Sequence, residues 1–139
     1  MGAWDLGPFD NDSAADWCGE LDDAPMSERE SIIRRTLSDA VDEPAYLEVD
    51  AGSEAVAAAA VVAALLPTSP VPEPGSGPTF LTSADHLDLP EDVVTLANQA
   101  LDRVIGENSE LRELHAEGDG LRAWLTSIAG VRAQLNGDA

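Results

Sequence analysis

The sequence predicts an all-α fold: a compact bundle of about six helices around a buried Ala/Val-rich helix, with a Pro-rich loop in the middle. Three observations carry this. Apolar residues recur at three- and four-residue spacings in several separate stretches. The run Ala55 to Leu66 is apolar for twelve residues, so it belongs inside the bundle. Tyr46-Leu47-Glu48-Val49 alternates like a strand but is too short and isolated to found a sheet.

The elements follow in order. Trp4 and Phe9 flank a Gly-Pro turn, and aromatics in such a segment usually tie it to a core. Helix 1 is expected from about Ser13 to Ala24, with Ala14, Trp17, Cys18 and Leu21 on one face. Asp12 or Ser13 caps it, Ser13 with Asp16 fits a capping box, and Pro25 ends it. Ser27 with Glu30 is a second capping box, opening helix 2 to about Val41. Ile33, Leu37 and Val41 point inward there, and Arg34 and Arg35 face water or acids. Asp42-Glu43-Pro44 breaks the helix, and Asp50 or Ser53 caps helix 3, about Ala51 to Leu66. Its alanines let neighbours approach closely.

Pro67 to Thr79 holds five prolines and two glycines and reads as an extended internal linker. Pro90 opens helix 4, to about Ile105, and Gly106 ends it. Asn108 or Ser109 caps a short helix 5 that places Leu111, Leu114 and His115 on one side, and Gly118 stops it. Asp119 caps helix 6, where Leu121, Trp124, Leu125, Ile128, Arg132 and Leu135 repeat on one face. At 139 residues, a single domain over 1–139 is the expectation.

Formal net charge is −20, and all seven basic residues are arginine. Residues 1–54 carry fifteen acids against three Arg, and residues 80–139 eleven acids against four. Such a chain repels phosphate backbones and anionic membrane surfaces, so neither nucleic acid nor membrane is an expected partner. A basic protein is electrostatically favoured. One cysteine, Cys18, leaves no internal disulfide and no cysteine metal cage. The start lacks a basic region followed by an apolar run, Leu6 spoils a myristoylation motif, and the longest apolar run is too short for a bilayer. The chain is therefore expected to be cytoplasmic.

Asp10, Asn11, Asp12 and Asp16 concentrate hard oxygen ligands near the start. An EF-hand loop needs glycine after alternating acids; here Ala14 follows, and helix capping accounts for Asp12. Asp10, Asp12 and Asp16 remain weak metal candidates. Trp4, Phe9, Trp17 and Trp124 form either a core cluster or the wall of a pocket. Cys18 falls on an apolar helix face, where a thiol acts as a small hydrophobe rather than a nucleophile served by His86 or His115. No phosphate loop, zinc spacing or serine elbow is present, and no cofactor is expected.

Three blocks of residues resemble a known family. The first is Met1-Gly2-Ala3-Trp4 with Gly7-Pro8-Phe9-Asp10-Asn11-Asp12 and Ala14-Ala15-Asp16-Trp17. The second is Tyr46-Leu47-Glu48 with Gly52-Ser53-Glu54-Ala55, and the third is Ser109-Glu110-Leu111-Arg112-Glu113-Leu114. Together they resemble an uncharacterised bacterial family, domain of unknown function 4259, over most of the chain except its proline-rich middle. Departures from the family pattern are Asp5, where Gly is usual, and His115, where Trp is common. The resemblance implies a small helical protein and brings no activity with it.

Two functional expectations follow. The first is a small acidic, non-enzymatic protein-interaction module, in the manner of an immunity protein or antitoxin, taking a basic protein partner or associating with itself. The alternative is a metal- or small-ligand-binding domain, conceivably hydrolytic. It would use Asp10, Asn11, Asp12 and Asp16 beside Trp4, Phe9 and Trp17.

Overall fold

The computed structural model describes residues 8–9, 12–66, 78, 89–118 and 120–137. Six helices account for most of them: α1 (Asp12–Asp23), α2 (Met26–Val41), α3 (Val49–Ala64), α4 (Glu91–Ile105), α5 (Glu110–Glu117) and α6 (Leu121–Leu135). The described residues contain no strand; Leu47 and Ser109 form one isolated parallel bridge.

Helix α3 is the hub, because each of the other five packs on it. From Gly52 to Ala63 every residue but Glu54 is buried. Around it the other helices bury one stripe each: Ala14, Trp17, Cys18 and Leu21 from α1, and Ile33, Leu37 and Ala40 from α2. Val93, Ala97, Ala100, Leu101 and Val104 come from α4, and Trp124, Ile128, Val131 and Leu135 from α6. Small side chains on α3 leave room for this close approach on all sides. Of the Pro67–Thr79 segment only Pro78 is described, and its side chain is fully buried.

The helix starts differ from expectation. Ser13 is inside α1, and its hydroxyl donates to Asp50 Oδ1 on α3 at 2.7 Å instead of capping its own helix. Neither Ser27 nor Asp50 or Ser53 caps anything: α2 follows Pro25 and α3 follows Glu48, both without a side-chain cap bond. Proline's fixed φ and the extended backbone before each helix set these starts instead. Helix α3 borrows a partner from far along the chain, its first amide (Val49) donating to Glu110 Oε1 at 2.8 Å. Ser109 does cap α5, accepting from the Arg112 amide at 3.4 Å. Asp119 lies outside the described residues, and Gly120 precedes α6.

Arginines tie the elements together. Arg29 on α2 donates to the Leu21 and Asp22 carbonyls at 3.0 Å each, satisfying orphan acceptors at the end of α1. Arg34 bridges Glu30 and Asp92, joining α2 to α4. Arg132 holds Asp102 at 2.6 Å and Asn98 at 3.2 Å, joining α6 to α4.

Candidate functional site

The aromatic and acidic residues near the N-terminus separate in the structure. Trp4, Asp10 and Asn11 lie outside the described residues. Phe9 sits in a turn, half-buried against the core. Trp17 is buried, and its indole N–H donates to Thr36 Oγ1 on α2 at 2.9 Å. Trp124 stacks on His115, with ring centroids 4.9 Å apart and planes 9° from parallel. Trp17 and Trp124 are thus engaged in separate places. Asp12 and Asp16 are exposed on α1. Among the described residues, no three His, Cys, Asp or Glu side chains converge as a metal ion would require.

The thiol of Cys18 is buried. Burial, and then the nearby Asp22 charge, push its pKa up to about 12, so it stays protonated at neutral pH. A nucleophile needs the thiolate, so this thiol is a core group. His86 lies outside the described residues. His115 is 4% exposed, and burial lowers its pKa, which favours the neutral imidazole.

A different feature gathers charge. Asp39 near the end of α2, Glu43, Leu47 and Glu48 in the linker, and Asp50, Ala51 and Glu54 on α3 line a groove of about 360 Å³. Five of the seven lining residues are carboxylates, and Leu47 and Ala51 give an apolar floor. Among the described residues, none of the five carboxylates enters an ion pair. Glu54 shows the strain of this crowding. Its pKa is raised, first by partial burial and then by the charges of Glu20, Asp50 and Asp39.

The linker that forms one wall is pinned. Leu47 donates its amide to the Asn108 carbonyl and accepts from the Glu110 amide, both at 2.8 Å. Arg103 on α4 donates to four carbonyls, those of Glu43, Ala45, Glu107 and Asn108, at 3.1–3.5 Å. One guanidinium thereby fastens the α2–α3 linker to the α4–α5 linker. Asn108 takes a φ of 59° there, a left-handed conformation that asparagine tolerates better than most residues. Tyr46, exposed beside the groove, donates its hydroxyl to Glu113 at 2.6 Å. That bond, with the surrounding carboxylates, raises the Tyr46 pKa to about 12.

Sequence reasoning looked for a site in the N-terminal acids and missed this groove. A signal was present: Asp39 and Glu43, and Asp50 and Glu54, are each four residues apart. Within α3 that spacing puts Asp50 and Glu54 on one side, while Glu43 lies just past the end of α2 that carries Asp39. What brings the pairs face to face is the linker geometry, which depends on contacts some sixty residues away in sequence.

No curated protein and no solved structure matches the chain. A family model described as "Domain of unknown function (DUF4259)" matches residues 2–127, which takes in α1 to α5 and the first half of α6. The chain therefore belongs to this family of domains of unknown function.

Proposed function

We propose that this protein is a non-enzymatic interaction module whose acidic groove takes a basic segment of a partner protein. The observation that carries the reading is that the five carboxylates along one apolar-floored groove have no ion-pair partner among the described residues. The carboxylates are strung out rather than convergent, which suits a row of Lys or Arg side chains better than a single ion. A second copy of this chain, itself at −20, is a poor occupant of the same groove. Sequestering a basic protein, in the manner of an antitoxin or immunity protein, is the role that this chemistry fits.

Exposed ion pairs contribute about 0.2–1 kcal/mol each, so the interaction is modest for a short segment and strongly salt-dependent. Calorimetric titration with a ten-residue peptide alternating Arg and Ala tests it, run at low and then near-physiological sodium chloride. Saturable binding that weakens steeply with salt is expected, with a Gly-Ser peptide of equal length inert. Absence of binding at the lower salt would remove the proposal.

A further inference from the structure

Glu54 is set apart from the other four carboxylates of the groove. From Gly52 to Ala63 on α3 it is the one residue that is not fully buried, and it stands half-buried where the hub helix meets the groove. A carboxylate is kept charged by water or by hydrogen-bond donors, and the other four have one or the other. Asp39 and Glu48 are exposed. Asp50 accepts from the Ser13 hydroxyl at 2.7 Å, and Glu43 accepts from the Ala45 amide at 3.2 Å. Glu54 is partly shielded from water, and among the described residues none donates a hydrogen bond to it.

The charges that face Glu54 come from three helices and are all negative. They are Glu20 on α1, Asp39 on α2, and Asp50 one turn back on α3. Glu43 and Glu48 line the same groove. Among the described residues, no arginine pairs with any of these carboxylates. A carboxyl group so placed gives up its proton reluctantly, because ionising it adds one more like charge to a crowded, partly dry wall. A Lys or Arg side chain laid in the groove would supply the missing donor and the missing counter-charge together.

We propose, resting on the groove reading above, that Glu54 couples occupancy of the groove to the loss of a proton. Its carboxyl O–H breaks as the basic side chain arrives, the proton passes to solvent, and acidification empties the groove. A basic occupant favours the charged form, so the Glu54 carboxyl titrates lower with the groove filled than with it empty. Between those two values, filling the groove expels a proton. Affinity falls as pH drops through the upper value.

Calorimetric titration with the same Arg-Ala peptide, at constant ionic strength in two buffers of unlike ionisation enthalpy, counts the protons released. From pH 7.5 down to pH 5 the release should rise from near zero towards about one proton per peptide at most. Affinity should fall over the same range, by at most about tenfold per pH unit. Glu54→Gln should still bind the peptide but release less than about half as many protons as the parent. Glu48→Gln, which removes the same charge from an exposed position in the groove, should release as many as the parent. If Glu54→Gln does not fold, the carboxyl carbon resonance of Glu54 in the parent decides instead. Its titration midpoint should drop when peptide saturates the groove, and an unmoved midpoint overturns the coupling. Equal binding heats in the two buffers at every pH would also overturn it, while leaving the groove its partner. So would equal release from both variants, since the proton then belongs to the groove at large. A peptide that binds at no pH removes the groove reading and the coupling together.

Discussion

His115 and Glu54 make the fold sensitive to pH in opposite directions. Burial lowers the His115 pKa below its ordinary 6.5, so the unfolded chain binds a proton that the folded chain resists. Stability contributed here is present above pH 6.5 and is lost as pH falls through the depressed value. Replacing His115 with Phe keeps a ring against Trp124 and should abolish this loss. Melting curves between pH 7 and pH 5 read the difference, at most about 1.4 kcal/mol per pH unit for one proton. Glu54 runs the other way. Its folded pKa lies above the ordinary 4.5, so its protonated form favours the fold. That contribution is complete below pH 4.5 and disappears as pH rises through the raised value. Glu54→Gln should therefore stabilise the protein at pH 7 by a few tenths to about 1 kcal/mol, the scale of partly solvated charge interactions. The gain should shrink towards pH 4.5; a variant less stable than the parent at neutral pH would show that Glu54 is favourably engaged.

Among the elements, α3 and the two linkers beside it hold the arrangement. Gly52 is helical, and a Cβ there would meet Leu111 Cβ at 3.5 Å and Leu47 Cδ2 at 3.7 Å, which is ordinary contact. Gly52→Ala should thus be neutral or stabilising by up to about 1 kcal/mol. Gly52→Val should destabilise, because its methyls reach further towards the same leucines. Thermal unfolding of the pair separates a site with room for one carbon from one with room for none. Arg103→Met should cost about 1.5–3 kcal/mol, the range for hydrogen bonds to a charged group. It should also speed hydrogen exchange at the Leu47 and Glu110 amides, which form the bridge that Arg103 backs. Helices were legible in the sequence because their apolar spacing is local. So was the burial of α3, from Ala55 onward, because no polar face interrupts it. The caps were less legible. A serine or aspartate before an apolar run has the right chemistry for a cap. Ser13 and Asp50 instead bond each other across two helices, a choice set by packing and not by spacing.

At the scale of the molecule, a hub helix buried all round meets a surface charged almost entirely one way. No described helix is long and apolar enough to cross a membrane. Val62 is fully buried in the last turn of α3, and an aspartate there would place an unpaired carboxylate in the core. Such a burial costs several kcal/mol, comparable to the whole stability of a small domain, so Val62→Asp should lose the cooperative melt. Like charges at −20 repel across the surface, so sodium chloride should raise the melting temperature most between dilute buffer and about 0.15 M, as screening sets in. The acidity was legible from composition, but its concentration in a groove was not, because Arg103, Glu110 and the 43–48 linker must first bring α2 and α3 into register. Whether that concentration matters is decided by comparing two variants of equal net charge. One neutralises the groove with Asp39→Asn, Glu43→Gln and Glu54→Gln; the other neutralises Glu28, Glu91 and Glu117, exposed residues outside the groove. Titrated with the same Arg-Ala peptide in the same buffer, the groove variant should lose binding at least tenfold while the other stays within about threefold of the parent, for a local site outweighs diffuse charge once salt screens. Equal losses in both would contradict the account, leaving an acidic surface with no place of its own for a partner.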